Sequence, residues 1–107
     1  MLIRPLSMAL SLALCLGALL SGGPPASAQT KVKTVATFSI LSDLVAEVAG
    51  DLAEISTLVG ADVDAHTYQP RPADARALAN ARVLVSNGLG FEGWIDRLAK
   101  AAPFKGR

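Results

Sequence analysis

The chain has 107 residues, of which 51% are hydrophobic, a formal net charge of +1 and a single cysteine. A charge so close to zero gives no basic surface of the kind that nucleic-acid-binding proteins use. The length allows one small domain at most.

The first 28 residues have the three parts of a secretory signal peptide. Arg4 gives a positive start, Met8 to Leu20 form an apolar segment of 13 residues, and Ala26-Ser27-Ala28 resembles a cleavage site. A helix needs about 20 apolar residues to span a bilayer, so we expect no membrane insertion after cleavage. We therefore predict a signal peptide over residues 1–28 and a mature part of 79 residues, 29–107, in the periplasm.

Cys15 lies inside the apolar segment and leaves with it. Lipid attachment usually requires a small residue just before the cysteine, and Leu14 stands there, so we favour cleavage over a lipid anchor. The mature part then contains no thiol for a disulfide, a nucleophile or a metal ligand. Without Arg4 it holds nine basic and nine acidic residues and is neutral.

The first half of the mature part predicts a strand, a helix and a second strand. Val32 to Thr37 is rich in β-branched residues and predicts the first strand. The helix is predicted to be capped by Ser39 and to end at Gly50, before a second strand at Leu52 to Val59. The predicted apolar face of this helix consists of Ile40, Leu41, Leu44, Val45 and Val48.

The second half continues the alternation after a polar loop from Gly60 to Arg71. A helix is predicted from Pro72 to Ala81, a strand at Val83 to Val85, and a third helix from Trp94 to Ala102. The order β-α-β-α-β-α predicts an α/β fold with a parallel sheet and helices on both of its faces. Ligands of such sheets bind at the carboxyl ends of the strands.

The loop after the second predicted strand contains the most informative residues. His66 is the only histidine of the chain, and imidazole is a common ligand of zinc and similar metals. From spacing alone, a plain surface histidine remains the better interpretation. Asp62 and Asp64 do not continue into a calcium-loop pattern, so solvated carboxylates are expected there.

A glycine-rich turn, Gly88 to Gly93, follows the third predicted strand and formally matches G-x-G-x-x-G. A dinucleotide fingerprint normally follows the first strand, and Glu92 within the turn would repel a phosphate. No nucleophile and base stand in a catalytic arrangement. Trp94 is expected to be a core residue.

Four segments, in this order and at this spacing, carry a resemblance to a known family. They are Val35 to Leu44 (VATFSILSDL), Asp64 to Pro70 (DAHTYQP), Pro72 to Asp74 (PAD) and Ser86 to Trp94 (SNGLGFEGW). The chain resembles the N-terminal part of the periplasmic metal-binding proteins of zinc/manganese ABC importers. Arg71 departs from the family, which often has Ser or Thr there as a helix cap.

The resemblance implies a two-lobed binding protein, not an enzyme, that holds a metal ion between its lobes and delivers it to a membrane permease. It implies that His66 is a metal ligand, with zinc favoured over manganese, and that residues 29–107 are a partial N-terminal lobe. The family's other ligands come from further along the chain, and no His or Cys follows His66. We therefore expect weak or no specific metal binding by this chain alone.

Two other functions stay open at this point. One is an α/β enzyme fragment that binds a phosphate or nucleotide at the turn from Gly88 to Gly93. The other is a surface adhesin or interaction module. If a fourth strand is missing, the first or third strand is expected to leave an open sheet edge.

Overall fold

A computed structural model describes residues 22–107 of the chain. The positive start, Cys15 and the apolar segment of the predicted signal peptide lie outside these residues. Residues 22–31 are exposed and form no helix or strand. Within residues 22–107, no helix combines the length and the apolar character needed to cross a membrane. Cleavage after Ala28 stays a prediction.

Within residues 22–107, three strands and three helices alternate, which confirms the predicted order. They are β1 (Val32–Phe38), α1 (Ser39–Ala49), β2 (Ala53–Val59), α2 (Pro72–Ala79), β3 (Val83–Val85) and α3 (Ile95–Ala101). A short 3-10 turn, Gly50–Leu52, joins α1 to β2. The predicted bounds are close, but α2 ends two residues before the predicted Ala81.

The three strands form one parallel sheet in the order β2-β1-β3. The expectation of an open edge at the first or third strand is met by β3 and not by β1, because β1 is central, with Val35 paired to Ser56 and Leu84. The outer strands are β2 and β3. The outer edge of β3 is in part satisfied by Arg107, which donates its backbone N–H to the Arg82 carbonyl (3.0 Å) and accepts from the Leu84 N–H (2.6 Å).

The core lies between the sheet and helices α2 and α3, which pack against each other. Val35, Val59 and Leu78 are almost completely excluded from solvent. Right-handed crossovers place α1 on one face of the sheet and α2 on the other, because the chain moves from β1 to β2 and then back across β1 to β3. The predicted α/β fold with helices on both faces is confirmed.

The beginning of α1 differs from the expectation and its end agrees with it. Phe38, in an extended conformation (φ −148°, ψ 169°), is the residue that precedes the helix, and no side chain caps it. Ser39 is therefore the first helical residue and not the cap, because a capping residue must lie outside the helix. Gly50 ends α1 as predicted, with φ +51° and its N–H donated to the Ala46 carbonyl.

The apolar face of α1 is wider than the surface that the sheet covers. Leu41 and Val45 are half-buried against the strands. Ile40, Leu44 and Val48 remain 65%, 57% and 89% exposed. The helical period correctly groups these five residues, but it does not show which of them a neighbouring element covers.

The close approach of the C-terminal segment to β3 leads to a test at Gly106. A Cβ atom on Gly106 would overlap the Arg82 carbonyl oxygen and lie 2.6 Å from a ring carbon of Phe104. We expect Gly106→Ala to lower the free energy of unfolding by about 1–3 kcal/mol, as overpacking does. Urea unfolding followed by circular dichroism measures this, and hydrogen exchange at the Leu84 amide should become faster.

Gly93→Ala is the matched control, because a Cβ on Gly93 would meet no atom within 4 Å. Its free energy of unfolding should stay within about 0.5 kcal/mol of the wild-type value. Equal stability of the two variants would contradict the close packing of Gly106 on β3.

Candidate metal centre

His66 lies in the loop between β2 and α2, at the carboxyl edge of the sheet where the fold places ligand sites. Its side chain is exposed. The imidazole ring packs edge-on against Phe91, with 4.4 Å between ring centroids and 63° between ring planes. Among residues 22–107, we find no hydrogen bond to the imidazole nitrogens of His66. A ligand can therefore approach the ring without displacing a polar partner.

Two hydrogen bonds fix the Ala65–His66 peptide unit, one at its carbonyl and one at its N–H. The Trp94 indole Nε1–H donates to the Ala65 carbonyl at 2.7 Å in a buried position. The Asp64 carboxylate accepts the backbone N–H of His66 at 2.8 Å. Trp94 is 4% exposed, which confirms it as a core residue, but it also anchors the loop of the candidate ligand.

The end of the loop is held by Asp74, the third residue of α2. Its Oδ2 accepts hydrogen bonds from the Tyr68 hydroxyl and the Arg71 backbone N–H, both at 2.7 Å. Its Oδ1 lies 3.3 Å from Nη2 of Arg71. Asp74 thus supplies one half of a capping box at the start of α2, while the Arg71 side chain makes no capping hydrogen bond.

These contacts determine the ionisation of Asp74 and Tyr68. Burial by itself would raise the pKa of Asp74, but the hydrogen bonds from Arg71 and Tyr68 outweigh it and hold that pKa below its ordinary value. Burial and the neighbouring Asp74 carboxylate raise the pKa of Tyr68. Tyr68 also packs edge-on against Trp94, with 5.3 Å between centroids. The loop that carries His66 is therefore joined to both α2 and α3.

The glycine-rich turn after β3 is closed by its own carboxylate. Glu92, 2% exposed, accepts the Thr37 hydroxyl at 2.6 Å and the backbone N–H of Asn87 at 2.7 Å on Oε1. Its Oε2 accepts the backbone N–H of Gly88 at 3.0 Å. A bound phosphate would need such N–H groups. Because Glu92 already occupies them, the geometry argues against the nucleotide-binding alternative.

The three donors also explain the acidity of Glu92. Burial would raise the pKa of its carboxyl, but the hydrogen bonds from Thr37, Asn87 and Gly88 outweigh burial and lower that pKa. Glu92 is therefore an ionised, fully engaged carboxylate. The sequence shows that Glu92 is part of the turn, but it does not predict its hydrogen-bond partners, because Thr37 lies 55 residues away.

Residues 22–107 do not form a metal site by themselves. Nowhere in residues 22–107 do three or more His, Cys, Asp or Glu side chains come together so that they could hold an ion. Asp64 binds the His66 backbone and not its ring, and Asp62 is exposed. The geometry thus leaves His66 as a single nitrogen donor, held by a loop that is anchored at several points.

Comparison with known proteins assigns the family. The sequence profile of the family described as ZnuA, zinc-uptake complex component A, periplasmic, matches residues 34–107, which is most of the chain. The chain belongs to this family. Its members are substrate-binding components of ABC transporters and not enzymes, which confirms the expectation of a binding protein. The resemblance found in the four sequence segments is confirmed as well.

Individual relatives differ in the metal that their names state. The manganese-binding lipoprotein MntA of Halalkalibacterium halodurans is 38% identical over 69 residues, which are 64% of this chain and 23% of that protein. The iron ABC transporter substrate-binding lipoprotein MtsA of Streptococcus pyogenes is 35% identical over 86 residues, 77% of this chain and 28% of that protein. The Zn(II)-bound AdcA structure from Streptococcus pneumoniae matches 69% of this chain and 16% of that one, with 27% identity and a TM-score of 0.61.

The chain therefore spans about a quarter of the length of these two curated relatives. Its parallel sheet and helices correspond to part of one lobe of a solute-binding protein, as predicted. Both relatives are named as lipoproteins, whereas the residues around Cys15 favour cleavage.

The engaged carboxylate of Glu92 leads to a pH-dependent stability. Its pKa in the folded protein lies below the ordinary value of 4.5, so its contribution to stability is present above that value and is lost as the pH falls through the folded pKa. We expect Glu92→Gln to lower the free energy of unfolding at pH 7 by about 1–3 kcal/mol, because the Gln amide keeps one acceptor oxygen but places an NH2 donor where the other carboxylate oxygen accepted a hydrogen bond. Between about pH 5 and about pH 3 the variant should lose less further stability than the wild type does.

Urea unfolding at a series of pH values measures this difference. Glu47→Gln, at an exposed position of α1, removes the same charge away from the turn and should leave the pH profile unchanged. Asp74 has the same direction of pKa shift, so some acid sensitivity remains in every variant. An unchanged acid slope in Glu92→Gln would show that the carboxylate is not engaged in this way.

Proposed function

We propose that residues 29–107 are part of the N-terminal lobe of a periplasmic solute-binding protein that captures a divalent transition metal for an ABC importer. The metal is the transported ligand, and His66 is its ligand on this lobe. The observation that carries the proposal is the exposed imidazole of His66 at the carboxyl edge of the sheet, in a chain of the ZnuA family.

The anchored loop supports the role of His66. Trp94 holds the Ala65 carbonyl, and Asp74 holds the Tyr68 hydroxyl, so the peptide that carries His66 is restrained on both sides. A ligand that is already held in place loses less conformational entropy when the metal binds. A plain surface histidine would need no such support.

Zinc is the metal that we favour for this lobe. Imidazole suits zinc well, and nitrogen donors bind zinc more tightly than manganese or iron(II) in the general order of divalent metals. The names of the relatives include manganese, iron and zinc, so the preference of a complete protein depends on the ligands that join His66. We propose that the complete protein presents the ion to a membrane permease.

Metal titration tests the role of His66. The chain, expressed from its full sequence and purified from the extracytoplasmic fraction, should show no sub-micromolar zinc site by calorimetry, because one nitrogen donor falls short of the three or four ligands of a zinc site. At higher ZnCl2 concentrations, NMR shifts should concentrate on the His66 ring and on the backbone amides of its loop, and His66→Ala should abolish the amide shifts. Zinc should bind more tightly than manganese.

Asp62→Asn is the control, because it alters an exposed carboxylate of the same loop and leaves His66 in place. It should retain the zinc-dependent shifts. A sub-micromolar site that depends on His66 would contradict the partial-lobe interpretation. Shifts that persist in His66→Ala and disappear in Asp62→Asn would contradict His66 as the ligand.

The intact mass of the exported protein tests its localisation and processing. Cleavage after Ala28 should give a polypeptide that begins at Gln29. A protein that begins at Cys15 and carries lipid would show that this chain follows the relatives named as lipoproteins. Retention of Met1 in the cytoplasm would contradict export. Cys15→Ser is the control and should leave cleavage after Ala28 unchanged.

A further inference from the structure

The turn after β3 has a strained backbone conformation that hydrogen bonds must stabilise. Gly88, Leu89 and Gly90 have φ angles of +73°, +57° and +79°. The left-handed backbone conformation of Leu89 is sterically unfavourable for a residue with a side chain. Because that side chain is fully exposed, its packing does not stabilise this conformation. The hydrogen bonds from Asn87 and Gly88 to the Glu92 carboxylate close the turn.

The same carboxylate, together with a hydrogen bond from the Phe91 backbone N–H to the Gly88 carbonyl (3.1 Å), determines where the neighbouring residue Phe91 lies. Glu92 also accepts the Thr37 hydroxyl at the end of β1, so the turn is fixed to the central strand of the sheet. Phe91 precedes Glu92 and is half-buried. Its ring contacts His66 (4.4 Å between centroids) and Phe38 (5.3 Å between centroids). The Phe91 ring thus lies between the carboxyl end of β1 and the candidate ligand.

We propose that Phe91, held in place by Glu92, is a positioning residue for the His66 imidazole. This inference rests on the proposed role of His66 as a metal ligand. No hydrogen bond within the described part of the chain orients the imidazole, so the edge-on contact with Phe91 takes that role. The contact limits the rotation of the His66 side chain and leaves its nitrogens free for an ion. Glu92 acts only through Phe91, because both of its oxygens are engaged.

The expected size of the effect follows from the strength of an aromatic pair. Removal of the Phe91 ring should raise the ZnCl2 concentration at half-saturation of the His66 signals by roughly 2- to 10-fold. Glu92→Gln should shift it in the same direction, because the displaced turn no longer holds the Phe91 ring against the imidazole.

The single histidine makes the experiment direct, because its ring protons give one assignable set of NMR signals. In the metal-free wild type we expect nuclear Overhauser effects between the His66 and Phe91 rings and a ring-current shift of the His66 protons. Phe91→Leu should abolish both signatures and weaken zinc binding. Phe91→Tyr should restore both, since it keeps the ring. Zinc titration of each variant, expressed from the full sequence, gives the half-saturation concentrations.

Two controls separate positioning from general loss of structure. Glu47→Gln removes a charge from α1, and Phe104→Leu removes a ring that packs near Gly106, away from the candidate site. Neither should change the His66 shifts or the zinc titration. If Glu92→Gln fails to fold, the comparison of Phe91→Leu with Phe91→Tyr still decides the proposal.

The outcomes distinguish this inference from the proposed function. If His66→Ala abolishes zinc binding while Phe91→Leu binds zinc as the wild type does, Phe91 is not a positioning residue and the proposed function stands. If His66→Ala leaves zinc binding unchanged, the proposed function itself is wrong, and this inference with it. Weaker binding in Phe91→Leu and wild-type binding in Phe91→Tyr support positioning by the ring.

Discussion

A buried carboxylate joins the strands at the end of the sheet where the candidate site lies. An ionised carboxylate is stable in such a place only when hydrogen bonds replace the water it has lost. Glu92 obtains three: one from the Thr37 side chain at the end of β1 and two from backbone N–H groups just after β3. These bonds connect the central strand to an outer strand beyond the last pair of their ladder, at Ala36 and Val85. The position of Phe91, and through it the surroundings of His66, depends on this junction.

These hydrogen bonds to Glu92 also explain what the glycine-rich turn does in this chain. Backbone N–H groups in a turn between a strand and a helix are typical of phosphate sites, and the glycine spacing raised that possibility. In this chain an internal anion takes the place that a phosphate would take. The sequence indicated that Glu92 would repel a phosphate there but left the nucleotide-binding alternative open. In the structure the Glu92 carboxylate accepts these backbone N–H groups itself. It therefore takes the donors that a phosphate would need, and it also stabilises the conformation of the turn.

The sequence predicts the regular elements better than their surroundings, for physical reasons. Side-chain periodicity and the special backbones of Gly50 and Pro72 act over a few residues, so the order of strands and helices and the end of α1 are predictable. The start of α2 is predictable from Pro72, but the hydrogen bond from Tyr68 to Asp74 is not. The exposure of Val48 depends on which elements pack against α1, and Ser39 does not act as a cap because the helix already begins at this residue. The site depends on still longer separations, because Trp94 and Ala65 are 29 residues apart.

For the candidate site, too, the sequence predicts the chemistry of the residue but not the distant contacts around it. Chemistry alone selects His66, since no other residue of the predicted mature chain is a strong nitrogen or sulfur donor for a transition metal. A single imidazole, however, binds zinc more tightly than manganese in the general order of affinities, whichever metal the complete protein transports. Discrimination between these metals must arise where further ligands set coordination number and geometry. In the proposed function this lobe contributes one donor held in place, and the selectivity of a complete protein depends on the ligands that join it.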